Sequence, residues 1–424
     1  MITMDRSEQL YSESSTMAPG GVSSPVRAFK PYPAFIASGK GSRMTDVDGG
    51  EYIDLCMAYG PLITGHACPK VMQAAMDQMS KGTVYGCPSE PELDMIRRLT
   101  EEVPSAEMVR LGCSGTEATM HAIRVARGVT GRDDIIKMNG GFHGAHDAAL
   151  VGAGSGSAGG VPSSKGVLND VAKHTFTAEY NDVQSMSDIL ERNGIACVIM
   201  EPVMGNVGVV TPEKGYLEEV RKVTEENGAV LIFDEVITGF RLSSGGAQKR
   251  FGVTPDMTTM AKIIGGGFPA GAFMGRRGIM ENVAPQGPVY VAGTFAGNPV
   301  SAAAGLAQID LMCSGDNYAK VERRTERLVE AIRDQMSDAK IQGCVNSIAS
   351  MYSIFFGPES VTNGTQAMTT DRSMADRMIR YMLAHGVYLP PSALEVSFLS
   401  LAHTDEDIDI LIDAYEGFFR EVRA

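Results

Sequence analysis

Two apolar runs near the middle of this chain are each marked by one charged residue. Ala229 to Phe233 is followed directly by Asp234, and Lys262 interrupts the stretch from Met257 to Pro269. A run as short and apolar as Ala229 to Phe233 reads as a strand buried on both faces, which requires a sheet covered by helices on either side. A charge in such surroundings costs several kcal/mol unless it is paired or neutralised. Burial also lowers a lysine's pKa and so frees a nucleophilic amine. A Schiff-base lysine, with a carboxylate facing a cofactor's pyridinium nitrogen, uses both residues. The ordinary alternatives are a Lys262 that extends its ammonium to solvent, and an Asp234 that caps a helix or joins a structural ion pair.

The flanking sequence extends this pattern. Ser89-Pro-Glu-Pro-Glu opens a helix running to about Val103, and Glu107 to Leu111 reads as a strand. Ser114-Gly-Thr-Glu117 has the form of a capping box ahead of a helix. Ile135-Ile136 and Cys197 to Met200 read as strands, and Tyr216 to Asn227 as a helix. Strands and helices taking turns imply a largely parallel sheet. After Asn298-Pro299 the pattern changes. Two long helices lead to a strand at Met351 to Phe356, a helix at about Met374 to His385, a strand at about Val396 to Leu401 and a last helix from Thr404. The division expected is an N-terminal segment, 1–50, packing with a small α+β domain at 301–424, and a large domain at 51–300.

Several constellations could carry chemistry. Backbone amides and hydroxyls at Ser114-Gly115-Thr116 form an anion site suited to phosphate, or simply a helix cap. Phe142 and His143 follow Gly140-Gly141, where an aromatic ring could stack on a flat cofactor. His143 and His146 beside Asp147 raise a metal site, but no third ligand has convincing spacing. Gly154 to Gly159 spells G-x-G-x-x-G in a glycine-rich stretch without the strand and helix that give the pattern meaning. Arg27, in Ser24-Pro-Val-Arg27, and Glu395 have no functional reading alone.

Composition excludes other classes. The net charge of −14 makes nucleic acid and membrane surfaces poor partners. No apolar stretch reaches the length of a membrane span. The N-terminus reads as neither a signal nor a transit peptide, and seven scattered cysteines argue for reduced thiols in a cytoplasm.

Taken together, GGVSSPVRAF, SGTEA, FHG, EPVMGN, FDEVITGFR, AKIIGGGFPAGAFMG, GTFAGNP and VSFLSLAHTDEDID resemble, in this order, the class-III pyridoxal-phosphate aminotransferases over about residues 1 to 415. The resemblance implies an α/β fold of the aspartate-aminotransferase type (type I among pyridoxal-phosphate enzymes). It implies a homodimer with shared active sites and a cofactor alternating between pyridoxal 5′-phosphate and pyridoxamine 5′-phosphate. Lys262 matches the Schiff-base lysine, Asp234 the partner of the pyridinium nitrogen and Val236 the residue packed on the ring. Ser114, Gly115 and Thr116 match the phosphate loop, with Thr294 reaching the phosphate from the neighbouring subunit. Phe142 and His143 match the stacking pair, and Glu201 and Asn206 lie near the cofactor's 3-hydroxyl. Ser24, Arg27 and Glu395, with Tyr59, match positions that bind or orient a small-molecule substrate. About Val151 to Asp170 matches a gating lid.

The chain departs from the family in carrying Phe142 for a usual tyrosine, Cys113 for a frequent asparagine and Tyr59 for a frequent tryptophan. GGVSSPVRAF and SLAHTDEDID favour the branch that shifts an amino group within one five-carbon amino-aldehyde acid, received from an upstream reductase. The rival within the family passes the amino group of an ω-amino acid to a separate keto acid. Outside it stand a cofactor-binding protein without catalysis and a nicotinamide dehydrogenase, the latter resting only on the glycine triplet.

Overall fold

A computed structural model describes residues 5–152 and 163–423. Its strands, in chain order, are β1 (Ile36–Lys40), β2 (Arg43–Asp46), β3 (Glu51–Asp54), β4 (Met108–Gly112), β5 (Asp134–Met138), β6 (Thr175–Ala178) and β7 (Ile195–Met200). There follow β8 (Val230–Asp234), β9 (Met257–Ala261), β10 (Gly271–Gly275), β11 (Gly343–Ile348), β12 (Met351–Phe356), β13 (Val387–Tyr388) and β14 (Ser397–Phe398).

The largest sheet has the order β4-β10-β9-β8-β7-β5-β6. Only β10 runs against its neighbours. β7, β8 and β9 are buried along their whole length, as strands covered on both faces must be. Because β4, β5, β7, β8 and β9 point the same way, their carboxyl ends share one edge, where open α/β sheets bind ligands. The residues that follow those ends are Ser114, Gly140 to His143, Glu201, Asp234 itself and Lys262.

Two smaller sheets flank this one. β1, β2 and β3 form an antiparallel meander, and β13 joins β3 in parallel with Val387 opposite Ile53. β11, β12 and β14 make the third sheet. The helices Asn317–Asp338, Arg372–Ala384 and Asp405–Arg423 bury Leu328, Ile332, Met382, Leu411 and Phe418 in one core with Ile53 and Leu55. Ser42 and Arg43 both bond the Asp407 carboxylate, at 2.8 Å each, tying the N-terminal meander to the last helix.

Two expectations need correction. Of the strand foreseen from Val396 to Leu401, only Ser397–Phe398 pairs as one. The amides around it go elsewhere: Phe398 N to Leu55 O (2.7 Å), Leu399 N to Ser350 O (2.9 Å) and Leu401 N to Ile63 O (2.8 Å). The capping box at Ser114 is half formed. Ser114 Oγ accepts from Glu117 N at 3.1 Å, but the Glu117 carboxylate turns back to Cys113 N rather than to Ser114 N. No helix among the described residues is long and apolar enough to cross a membrane.

Candidate active site

At the carboxyl edge of the large sheet lies a cavity of about 830 Å³. β8 delivers Asp234 to it, 3% exposed. One carboxylate oxygen of Asp234 lies 2.7 Å from Nδ1 of His143, and the other accepts from Val236 N and Thr259 Oγ1, each at 3.1 Å. His143 is fixed in turn, since Thr119 Oγ1 donates to its backbone carbonyl at 2.6 Å. Nε2 of His143 is buried with no partner among the described residues.

Lys262 directly follows β9 with φ = +50°. A left-handed conformation in a residue other than glycine costs on the order of 1–3 kcal/mol and persists only where surrounding structure enforces it. Here it turns the side chain out of the strand and onto the cavity wall. Lys262 makes no hydrogen bond or ion pair to any described residue. It keeps some accessible surface, but that surface lies among the cavity walls, and desolvation lowers its ammonium to about 8. Glu395 opposes that shift and Arg241 adds to it. Burial pushes the Glu395 carboxyl up, with Lys262 working against the change.

Glu201 follows β7 and is 3% exposed. It accepts from Phe142 N at 3.0 Å and Gly205 N at 2.7 Å, and burial still raises its carboxyl. Gly115 and Thr116 bring the start of the helix Gly115–Thr130 to the same wall.

The far side is built from distant sequence. Asp54, at the end of β3, accepts from Cys56 N (2.8 Å) and Met57 N (3.1 Å). Met57, Ala58 and Tyr59 then form a left-handed turn, with φ of 44°, 55° and 65°. Each such residue costs about 1–2 kcal/mol relative to the right-handed form. The buried Arg241 guanidinium donates to Gly60 O and closes the turn. Tyr59 then reaches Val26 O and holds the short turn Pro25–Arg27 over the cavity mouth.

Of the residues singled out in the sequence, Ser24, Arg27, Tyr59, Gly115, Thr116, Phe142, His143, Glu201, Asn206, Asp234, Val236, Lys262 and Glu395 line this one cavity. Of the residues the resemblance assigns to the site, two do not: the Ser114 hydroxyl caps its helix, and Thr294 is exposed and is not part of the lining. His146 and Asp147, weighed for a metal, do not line it either. Residues 153–162, with about half of the expected lid and the Gly154 to Gly159 pattern, lie outside the described residues. Among the described residues no group of three His, Cys, Asp or Glu side chains could hold a metal.

Sequence reasoning missed Thr119, Thr259, Arg241 and Lys137. Lys137 is the one it could have found, because it too is a lone charge in an apolar run, IIKM.

The site fits a flat, phosphorylated aldehyde such as pyridoxal phosphate. It offers an uncommitted amine, a fixed carboxylate, helix-start amides and an unpartnered imidazole nitrogen. A β-carbon on Gly115 would meet Val236 at 3.1 Å, so the glycine leaves a slot there.

Residues 26–418 match the family model described as Aminotransferase class-III. The chain is 52% identical to a glutamate-1-semialdehyde 2,1-aminomutase of Archaeoglobus fulgidus, covering 97% of this chain and 98% of that protein. It is 50% identical to the protein of that name in Thermoplasma acidophilum, covering 97% and 98%. Among solved structures, an omega-transaminase from Sphaerobacter thermophilus superposes with a TM-score of 0.93 at 31% identity, covering 99% and 98% of the two chains. A glutamate-1-semialdehyde-aminomutase from Pseudomonas aeruginosa does so at 0.90 and 25%, covering 99% and 95%.

Proposed function

The chain belongs to the class-III aminotransferases, and from that premise we propose that it converts glutamate-1-semialdehyde to 5-aminolevulinate by moving an amino group within one molecule. One observation carries this reading: an uncommitted Lys262 amine and a buried Asp234 at adjacent strand ends, in a chain about half identical to aminomutases over nearly its whole length. The cofactor is pyridoxal 5′-phosphate, exchanging with its pyridoxamine form. When bound, it supplies an exchangeable carbonyl or amine and a protonated ring that draws electrons from the substrate carbon.

The chain's own residues do the rest. Lys262, its pKa lowered to about 8 by desolvation, takes a proton from one substrate carbon and returns it elsewhere as general base and acid. Asp234 stays where a ring N–H can donate to it, because His143, Val236 and Thr259 fix both of its oxygens. Gly115 and Thr116 would hold the phosphate with helix-start amides, and Phe142, His143 and Val236, which line the same cavity, would pack on the ring. Arg27 pairs with the substrate carboxylate, a task suited to a guanidinium, while Ser24, Tyr59 and Glu395 orient the chain between them. Asn206 and Glu201 complete the wall beside the ring.

A homodimer accords with the surface. Thr294 sits beside the exposed Tyr290 and Phe295, and Met72, Met76 and Met79 line the helix Pro69–Met79. A second copy would cover these exposed side chains, and the family resemblance puts Thr294 of one copy at its partner's phosphate site. The largest sheet lies wholly within 51–300, which supports reading that stretch as the cofactor-binding domain. Hand-over of the unstable aldehyde from a reductase belongs to the same reading.

The likeness to an omega-transaminase keeps one rival, transfer to a separate keto acid. Purified holoenzyme given glutamate-1-semialdehyde alone should form 5-aminolevulinate. Turnover that requires an added keto acid would favour the rival.

A further inference from the structure

One peptide unit at the cavity is gripped at both ends by buried ionic groups. Lys137, in β5, is 0% exposed, and its Nζ donates to Gly141 O at 2.8 Å. Phe142 N–H donates to Oε1 of Glu201 at 3.0 Å. That carbonyl and that N–H belong to the same peptide plane, so a cation faces its negative end and an anion its positive end. β5 and β7 are neighbours, with Lys137 opposite Ile199, which brings the two charged residues to one place. Their remaining bonds brace the same region. Lys137 also donates to Val151 O (2.8 Å) and Gly152 O (2.9 Å), and Oε2 of Glu201 accepts from Gly205 N (2.7 Å).

Packing alone does not account for Lys137. A buried ammonium touching no carboxylate carries a large desolvation penalty, and an apolar side chain would fill the space without it. An apolar side chain would, however, take away the donor that Lys137 gives the buried Gly141 and Val151 carbonyls, while Gly152 O would keep its bond from Gly140 N (2.9 Å). Nζ meets the carbonyls of Gly141, Val151 and Gly152 at 2.8 to 2.9 Å and that of Met138 at 3.4 Å, a ring of acceptors suited to the three N–H donors of an ammonium.

We propose that Lys137 and Glu201 are a peptide-bridged charge pair that fixes the plane of the Gly141–Phe142 peptide and thereby the cofactor-facing pose of Phe142 and His143. Both act as positioning residues for the ring. The inference rests on the cofactor assignment for its affinity readout, but its exchange readout uses cofactor-free protein, so a failure of either can be told from the other.

Four proteins serve as probes: the unmodified chain, K137M, E201Q and the double variant, each loaded with pyridoxal 5′-phosphate. K137M should weaken the cofactor on the order of tenfold or more, about what one lost bond to a charged group is worth. It should also change the visible circular dichroism per bound cofactor while the far-ultraviolet signal holds. The double variant should fall within roughly threefold of K137M, because the two act as a unit. Multiplicative losses, or a folded K137M with unchanged affinity and visible dichroism, would overturn the proposal. Should K137M not fold, hydrogen exchange of the unmodified cofactor-free protein decides. The Phe142 amide should exchange slowly although Phe142 is 39% exposed; exchange at the rate of an unstructured chain would overturn it.

Discussion

A methyl group added at Gly115 would lie 3.1 Å from both γ-carbons of Val236, with the Ala261 β-carbon at 3.5 Å. The first residue of the helix Gly115–Thr130 and the residue two beyond β8 thus set the width of the slot between phosphate loop and ring position. Alanine at that point asks Val236 to yield by a few tenths of an ångström, although alanine is otherwise the better helix former. Gly115→Ala should therefore weaken pyridoxal-phosphate binding by roughly tenfold, within the usual cost of overpacking. The unfolding midpoint of the cofactor-free protein should hardly move. A titration with unchanged affinity would show that Val236 does not bound the ring.

Desolvation sets the reactive form of Lys262. The neutral amine attacks a carbonyl, and a pKa near 8 leaves roughly a quarter of the amine neutral at pH 7.5, against well under a hundredth for an ordinary lysine. The rate at which cofactor-free protein captures pyridoxal phosphate should rise with pH and reach half its plateau near pH 8. Glu395 holds this pKa up, so Glu395→Gln should move the midpoint to lower pH. A midpoint that moves upward, or stays, would remove Glu395 from contact with the amine's charge.

Both charged ends were legible in the sequence for the same physical reason: a lone charge in an apolar run stands out against its cost. Lys137 carries the same signature, but its run is only two residues long on one side and blends into an ordinary strand. What could not be read was pairing between distant segments. Val387 lies beside Ile53, and Tyr59 reaches Val26, through contacts that no local pattern encodes. The half-formed box at Ser114 failed for a related reason. S-x-x-E fixes the spacing of Glu117 but not the turn geometry that brings Cys113 N closer than Ser114 N.

A stability prediction concerns a histidine outside the cavity. His403 is 0% exposed, accepts from Ser400 N at Nδ1 (3.0 Å) and lies 3.2 Å from Asp54 O through Nε2. That arrangement suits only the neutral ring, and burial lowers its pKa to about 4. Below the unfolded value near 6.5 the unfolded chain binds the proton and the folded one does not, so stability falls as pH drops from 6.5 toward 4. The loss from His403 is on the order of 3 kcal/mol. His146, also lowered to about 4 by burial, adds to it. Urea unfolding across this range should be visibly flatter for His403→Gln; an equal slope would place the acid sensitivity elsewhere.

Lys262 is the amine that meets the cofactor in the proposed reaction. Reducing the pyridoxal-phosphate-loaded protein with borohydride and mapping the labelled peptide tests this directly. A single pyridoxyl label on Lys262 is the predicted result. A label on another lysine, with the buried Lys137 as the natural competitor, or no label at all, would contradict it.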